Sequence, residues 1–341
     1  MQTKNISKED TIKMISEVGI SAIEQTFVKN FIESIIPDFE VKLSEINKNL
    51  AKNDVQPELN KCVQEMIKNI SQLQSRIKSR RLLSKIKQYF RGKVGFSAYE
   101  SWLVRRAFEK PLGYPGDYEL LEAIYGNKPI SGGIGKYWDA YFLADPLAEA
   151  VRGRKDETVK FLKKEIENTQ LPIRILNLAC GSSRDVNELL ELISPHQKNS
   201  ITITCVDQDK RALMFSQNAL SEYGANVSFV EENIINLSEN KHNKQHIIYS
   251  IGLTDYFPDR VLRKFLKTCY DLLEDNGKLF ISHKDRLVYD PIVEDWFCDW
   301  TFYPRTEKEL LKIVSSFVGD QSKITAFRGD SKIIYFFIIR K

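Results

Sequence analysis

The sequence predicts an α/β protein in which a doubly wound, mostly parallel sheet is closed by an antiparallel hairpin and preceded by an α-helical domain. Three observations carry this. In the first part of the chain apolar positions recur at helical spacing with little strand character. After Leu171-Pro172, short apolar runs alternate with amphipathic stretches, as strands and helices do in βαβ units. At the end, two apolar runs are separated only by the tight Arg328-Gly329-Asp330 turn, too short for a crossover, so the last pair must be antiparallel.

A length of 341 residues suits two unequal domains, read as 1–153 and 154–341. Apolar residues at 42% and charged residues at 28% exclude a disordered chain. The start, MQTKNISKED, lacks the apolar run of a secretory signal, and Ile333 to Ile339 is too short to cross a bilayer. The expected location is therefore the cytoplasm, with no membrane partner. Five scattered cysteines without a CxxC pair, and four histidines without ligand spacing, read as reduced thiols and no metal site. A net charge of +4 gives no mandate for a polyanionic partner.

Taken in order, Thr11 to about Ile36 reads as a first helix, stopped by Pro37. A longer helix from about Glu58 carries Leu59, Val63, Met66, Ile70, Leu73 and Ile77 in alternating four-three steps, which draw one apolar seam. Packing on the first helix is the expected fate of that seam, with coiled-coil homodimerisation as the alternative. The same helix is read as ending in a basic run, Arg76, Lys78, Arg80, Arg81, Lys85, Lys87, Arg91 and Lys93. This is the one feature that speaks for nucleic acid; without a binding-module signature the solvated helix face is preferred. Gly92 to Gly153 then turns aromatic and glycine-rich, with GYPGDY and SGGIGKYW; GGIG follows no strand and is not read as a phosphate loop. A charged helix from Arg154 leads to the sheet.

Seven strand runs follow: Ile173 to Leu178, Ile201 to Val206, Asn226 to Val230, His246 to Ser250, Lys278 to His283, Lys323 to Phe327 and Ile333 to Ile339. The first runs directly into ACGSSRD and then the amphipathic VNELLELI. A small-residue turn between strand and helix lets backbone amides approach a ligand closely, which is how nucleotide-like cofactors are held in such sheets. The second strand ends in Asp207, placed as the acid that accepts hydrogen bonds from ribose hydroxyls.

The series ILNLACGSSRD, CVDQD, FVEENIINL, IIYSIGLTDYFPD, LLEDNGKLFISH and a final hairpin resembles the successive motifs of class I S-adenosylmethionine-dependent methyltransferases, over about residues 172 to 341. The resemblance implies a Rossmann-like seven-stranded sheet and S-adenosylmethionine as cofactor. It places Asn177, Ala179, Cys180 and Gly181 along the methionine part, Asp207 and Gln208 at the ribose, and Asn233 and Ile234 at the adenine. Ser250 and Ile251 fall beside the sulfonium, while Tyr256, after the fourth strand, is read either as packing over the cofactor or as simply capping the sheet. Ala179 and Ser183 stand where the common first motif has glycine, and Asn233 replaces an aspartate. GYPGDY in the helical extension, with Trp296, Trp300, Tyr303, Arg305 and Thr306 late in the chain, is similar to bacterial stand-alone methyltransferases that include hydroxy-fatty-acid methyl ester synthases.

The function expected is methyl transfer to a small-molecule acceptor at oxygen, carboxylate or hydroxyl. His283, at the end of the fifth strand, is the first candidate base, and Asp255 has similar standing. Tyr114, Asp117 and Tyr118 are read as a lid, against the plainer reading that Asp117 ties a turn to nearby amides. Arg105, Arg106 and Arg305 are candidate anchors for an acidic acceptor, with Trp296, Trp300 and Tyr303 as further acceptor contacts. The rivals are a nicotinamide dehydrogenase, which the missing G-x-G-x-x-G spacing disfavours, an RNA or other nucleic-acid methyltransferase, and a non-catalytic cofactor-binding scaffold.

Overall fold

In the computed structural model, Glu9 and residues 20–51, 54–170, 172–237 and 242–341 are described. The chain divides into two units, Met1–Asp145 with Asp290–Thr301, and Pro146–Tyr289 with Phe302–Lys341. The second crossing between units was not expected from the sequence, and the first falls at Asp145, not at Gly153. The reason for the latter is local: α8 (Pro146–Asn168) begins at Pro146, whose fixed φ suits a first helical turn, and runs unbroken through Arg154.

The helical unit holds α1 (Ala22–Asn30), α2 (Ile36–Asn49), α3 (Gln56–Arg76), α4 (Arg80–Ala98), α5 (Trp102–Glu109), α6 (Tyr118–Gly126) and α7 (Gly133–Leu143). The expected start of the first helix at Thr11 lies outside the described residues. Its expected stop at Pro37 does not occur. A π-turn at Phe31–Ile35 lets Ile36 N–H reach Phe31 O, and Pro37 follows in the first turn of α2, where a missing N–H costs little. The seam of α3 is buried inside this unit: Leu59, Val63, Ile70 and Leu73 are 0% exposed. That burial leaves the seam no apolar surface for a homodimer.

The basic run is not the end of the same helix. Ile77 is extended, and Ser79 caps a new helix, α4, by accepting from Leu82 N. Arg76 covers the Phe27 ring, Lys87 pairs with Asp295, Arg91 with Asp299, and Lys93 with Glu40. Half the run is thus consumed within the helical unit.

The sheet unit holds β1 (Ile173–Leu178), β2 (Ile201–Asp207), β3 (Val227–Glu231), β4 (Gln245–Ser250), β5 (Leu273–Lys284), β6 (Ile324–Arg328) and β7 (Ile334–Arg340). Their order is β3-β2-β1-β4-β5-β7-β6, with β7 antiparallel to β5 and β6, and the other pairs parallel. β5 begins earlier than the expected Lys278, with an irregularity over Glu274 to Gly277: Gln245 pairs with Leu273 and Ile247 with Lys278, so the residues between leave the ladder. The crossover helices are α9 (Arg184–Leu192), α10 (Pro195–Ser200), α11 (Lys210–Ala219) and α12 (Asp259–Asp271), with α13 (Glu307–Val318) before the hairpin. Buried apolar strand residues such as Leu176, Ile248, Leu279 and Phe337 pack with Leu262, Leu266 and Leu310 of α12 and α13 into one core. All five cysteines are buried and unpaired. Among the described residues no helix is long and apolar enough to cross a membrane.

Candidate functional site

Because β1 lies between β2 and β4, the chain leaves it in one direction and returns to its other side, and a crevice opens at the C-terminal ends of β1 and β4. The turn after β1 lines that edge. Ala179, Gly181 and Ser183 alternate through left-handed conformations, with φ of 57°, 54° and 50°. So the backbone takes the shape of the glycine-rich motif although two glycines are missing, at a cost of about 1–2 kcal/mol per non-glycine residue. The surrounding bonds hold it there: Cys180 N donates to Val206 O at 3.1 Å, and Ser216 Oγ to Gly181 O at 2.8 Å.

Asp207 closes the turn from β2. Its Oδ2 accepts from Gly181 N and its Oδ1 from Asp209 N, both at 2.9 Å. Burial raises its carboxyl, while the amides of Asp209 and Gly181 work against that rise. Each oxygen retains a lone pair for a hydroxyl donor. Gln208 beside it is exposed. Asn233 is exposed, and its Oδ1 accepts from Ile235 N at 3.0 Å, which presents the buried Ile234 on a short 3₁₀ turn. Ser250 donates to Leu178 O at 2.9 Å and so clamps the end of β4 to the end of β1. Ile251 is half-buried, and Tyr256 lies 5.2 Å from the Phe302 ring.

Around this turn the fold leaves buried polar atoms unmatched: Asn177 Nδ2, Ser183 Oγ, Asp185 Oδ2 and Arg154 Nε. The Cys180 thiol lies beside the Ser183 hydroxyl. Native folds rarely bury several such atoms together, and their grouping at a backbone cradle fits a bound nucleoside cofactor with a polar tail. Asp185 and Tyr249 face one another in the interior; burial raises both groups.

His283 stands at the C-terminal end of β5, as expected, but buried rather than facing the crevice. Its side chain is dry, with Nδ1 2.9 Å from Thr254 Oγ1 and 3.2 Å from Asp255 Oδ1, and Nε2 3.5 Å from Arg305. Thr254 Oγ1 donates to Ser282 O at 2.7 Å, so it accepts from the ring, which fixes the proton on Nδ1. Burial lowers the imidazole most, Asp255 opposes, and Arg305 and Lys284 add to the lowering, leaving it at about 4. Burial alone would raise Asp255, but Lys284 and His283 outweigh it and hold the carboxyl at about 2. Lys284, 2% exposed, donates to Asp255 Oδ2 at 2.8 Å and sits 3.8 Å over the Phe302 ring. Arg305 is also committed, to Asp259 at 2.7 Å, to Phe257 O at 2.7 Å and to Tyr303 O at 3.0 Å. These side chains brace the segments after β4 and after Thr301; they do not present a base or an anchor to an acceptor. Tyr303 itself is 55% exposed.

The remaining expected residues lie in the helical unit. Asp117 caps α6 by accepting from Leu120 N at 2.9 Å and takes Arg106 Nε at 2.9 and 3.0 Å, the plainer of its two readings. Arg106 also pairs with Glu119 and covers the Trp102 ring, so it is a structural cation. Tyr118 is buried, Tyr114 half-buried and Arg105 exposed. Trp296 is 0% exposed, set edge-on to Phe31 and Phe90, and Trp300 is 4% exposed; both are core residues of this unit. Their aromatic spacing read like a site because a core and a binding surface draw on the same residue types. Sequence reasoning missed Lys284, Thr254, Asp185 and Arg154; only the pairing of His283 with a following lysine at a strand end could have drawn attention to the first.

Residues 175–277 match a family described as "Methyltransferase domain". No curated protein matches the chain. Among solved structures, a "possible exported protein" from Bordetella parapertussis is 14% identical, with 91% of this chain and 96% of that one covered at a TM-score of 0.55, a likeness of fold. Magnesium protoporphyrin IX methyltransferase from Synechocystis PCC 6803 is 12% identical, covering 57% of this chain and 83% of its own at 0.41. A plantazolicin methyltransferase is 12% identical, covering 74% and 99% at 0.47.

Proposed function

We propose a small molecule that offers an oxygen, a carboxylate before a hydroxyl, as the acceptor of this chain, which carries a class I S-adenosylmethionine-dependent methyltransferase domain. S-adenosylmethionine, when bound, supplies an electrophilic methyl group on a sulfonium. The chain's own part is to hold and align the reactants in a dry crevice, which can contribute on the order of 7–11 kcal/mol. Asp207 and the turn from Ala179 to Ser183 would hold the nucleoside and its tail, Ile234 would edge the adenine, and Ser250 and Ile251 would border the reacting centre.

The observation that carries the carboxylate reading is that the sheet unit's nearest acid–base groups are already committed. His283 is neutral and engaged at both nitrogens, and Asp255 is locked to Lys284. An alcohol, phenol or protonated amine needs a base at or before transfer, whereas a carboxylate arrives ionised. The partnered half of the basic run supports a small acceptor over RNA.

The test is a mass-spectrometric assay of the whole chain with S-adenosylmethionine and a panel of small carboxylic acids, phenols and amines. Turnover of a carboxylate should be flat with pH above the acceptor's own pKa, and His283→Gln should leave that profile unchanged. A loss on the order of 10²–10⁴ in rate with an altered profile would move the reading to a hydroxyl acceptor with His283 as base. A methyl group found on nitrogen, on carbon or on an RNA base would sink both forms.

A further inference from the structure

Arg154, in the third turn of α8, is 4% exposed, yet no carboxylate among the described residues lies within ion-pair distance of it. Its neighbours are paired: Lys155 meets Asp156 and Glu188. The Arg154 guanidinium instead lies flat against the backbone just beyond β4. A β-carbon built on Gly252 would stand 2.7, 2.8 and 2.9 Å from its two terminal nitrogens and central carbon. Gly252, at φ +90°, is required there twice over, for its conformation and for the room it leaves. The Nε–H is buried without an acceptor.

A buried cation with no counter-charge is costly, and a fold that keeps one ordinarily keeps it for an anion that comes from outside. Two more unmatched groups lie on the adjoining elements: Asn177 Nδ2 at the end of β1 and Ser183 Oγ in the turn after it. Ser250, two residues before Gly252, ties that edge of β4 to β1. Arg154 and Asn177 can only donate through these atoms, and Ser183 can donate. Such a donor set suits a carboxylate, which takes a guanidinium in a forked pair.

We propose that Arg154 is a carboxylate-binding residue of this crevice, held in place by Gly252 and seconded by Asn177 and Ser183. The inference rests on the methyltransferase reading of the site. Two carboxylates meet the chemistry, that of the cofactor's amino-acid tail and that of the acceptor, and one set of titrations separates them.

The whole chain and its Arg154→Met and Arg154→Lys variants are titrated calorimetrically with S-adenosylhomocysteine and with 5′-methylthioadenosine, which lacks the amino-acid tail. Benzoate and octanoate are titrated into the S-adenosylhomocysteine complex. If Arg154 takes the cofactor's carboxylate, Arg154→Met weakens S-adenosylhomocysteine roughly 10–100-fold and leaves methylthioadenosine unchanged. If it takes the acceptor's, both nucleosides bind as before and binding of the acids is lost. Arg154→Lys keeps part of whichever affinity is at stake, because the charge remains while the fork is gone. Asp207→Ala is the control, weakening both nucleosides alike.

Equal weakening of both nucleosides by Arg154→Met, or no change in any titration, overturns the proposal. Thermal melts guard against misfolding: with an uncompensated cation removed, empty Arg154→Met should melt no lower than the parent, and a lower melting point also counts against the inference. Failure of the parent chain to bind S-adenosylhomocysteine would instead remove the cofactor site itself, and a nitrogen-methylated product would remove only the acceptor reading.

Discussion

His283 changes meaning once its neighbours are known, and the change has a consequence for stability. An unfolded imidazole titrates near ~6.5, whereas in the fold the ring is held down at about 4. As pH falls between these values the unfolded chain takes up the proton first, so stability is complete above about 6.5 and declines toward about 4. Asp255, held at about 2 by Lys284 and His283 against the effect of burial, loses its share lower still, between ~4 and about 2. Between pH 7 and pH 5 the histidine alone should remove about 2 kcal/mol of unfolding free energy. Urea unfolding at the two pH values checks this; His283→Gln should lose less over the interval than the parent, and parallel losses would refute the assignment.

Among the elements, the turn after β1 is where local propensity and tertiary demand conflict most sharply. Ser183 is held at φ 50°, 1% exposed, with its hydroxyl unmatched by a hydrogen-bond acceptor. Glycine would remove both the backbone strain and the stranded hydroxyl, at the smaller cost of a more flexible unfolded chain. Ser183→Gly should therefore stabilise the ligand-free protein by about 1 kcal/mol, read from its denaturation midpoint. If the hydroxyl serves a ligand, affinity for S-adenosylhomocysteine should fall in the same variant. A destabilised Ser183→Gly would mean the hydroxyl is matched by water and the strain is small. Elsewhere the element boundaries moved for equally local reasons: the π-turn that carries a helix past Pro37, and the extended Ile77 that separates the seam of α3 from the basic residues of α4.

For the molecule as a whole, the consequential feature is that residues Asp290–Thr301 return to the helical unit after β5. Trp296 and Phe297, at 0% and 2% exposure, are core residues there, and Lys87, Arg91 and Lys110 fasten the acids of the segment. A protein beginning at Pro146 would carry these aromatics without their core, and we expect it to aggregate. Tyr289 and Phe302, the residues flanking the excursion, have ring centroids 5.8 Å apart, so a short Gly-Ser bridge could replace 290–301. The bridged protein should be soluble and bind S-adenosylhomocysteine, as light scattering and calorimetry would record. Aggregation of the bridged form, or a well-behaved unbridged one, would contradict the division.

What was legible in the sequence is what depends on spacing along the chain. Period-two and period-3.6 patterns identified the sheet and its hairpin, and small residues at ILNLACGSSRD with an acid at the end of the second strand pointed to the edge now proposed for the cofactor, because strand, turn and helix form from neighbours in sequence. Tertiary structure decided the rest. Whether an ionisable side chain is a free reagent or a buried brace depends on what lies opposite it, and opposite His283 lie Thr254, Asp255 and Arg305 from separate stretches of chain. The same holds for Trp296, whose partners Phe31 and Phe90 are more than two hundred residues away in sequence, and for Arg154, whose lack of a carboxylate partner among the described residues emerges only in three dimensions.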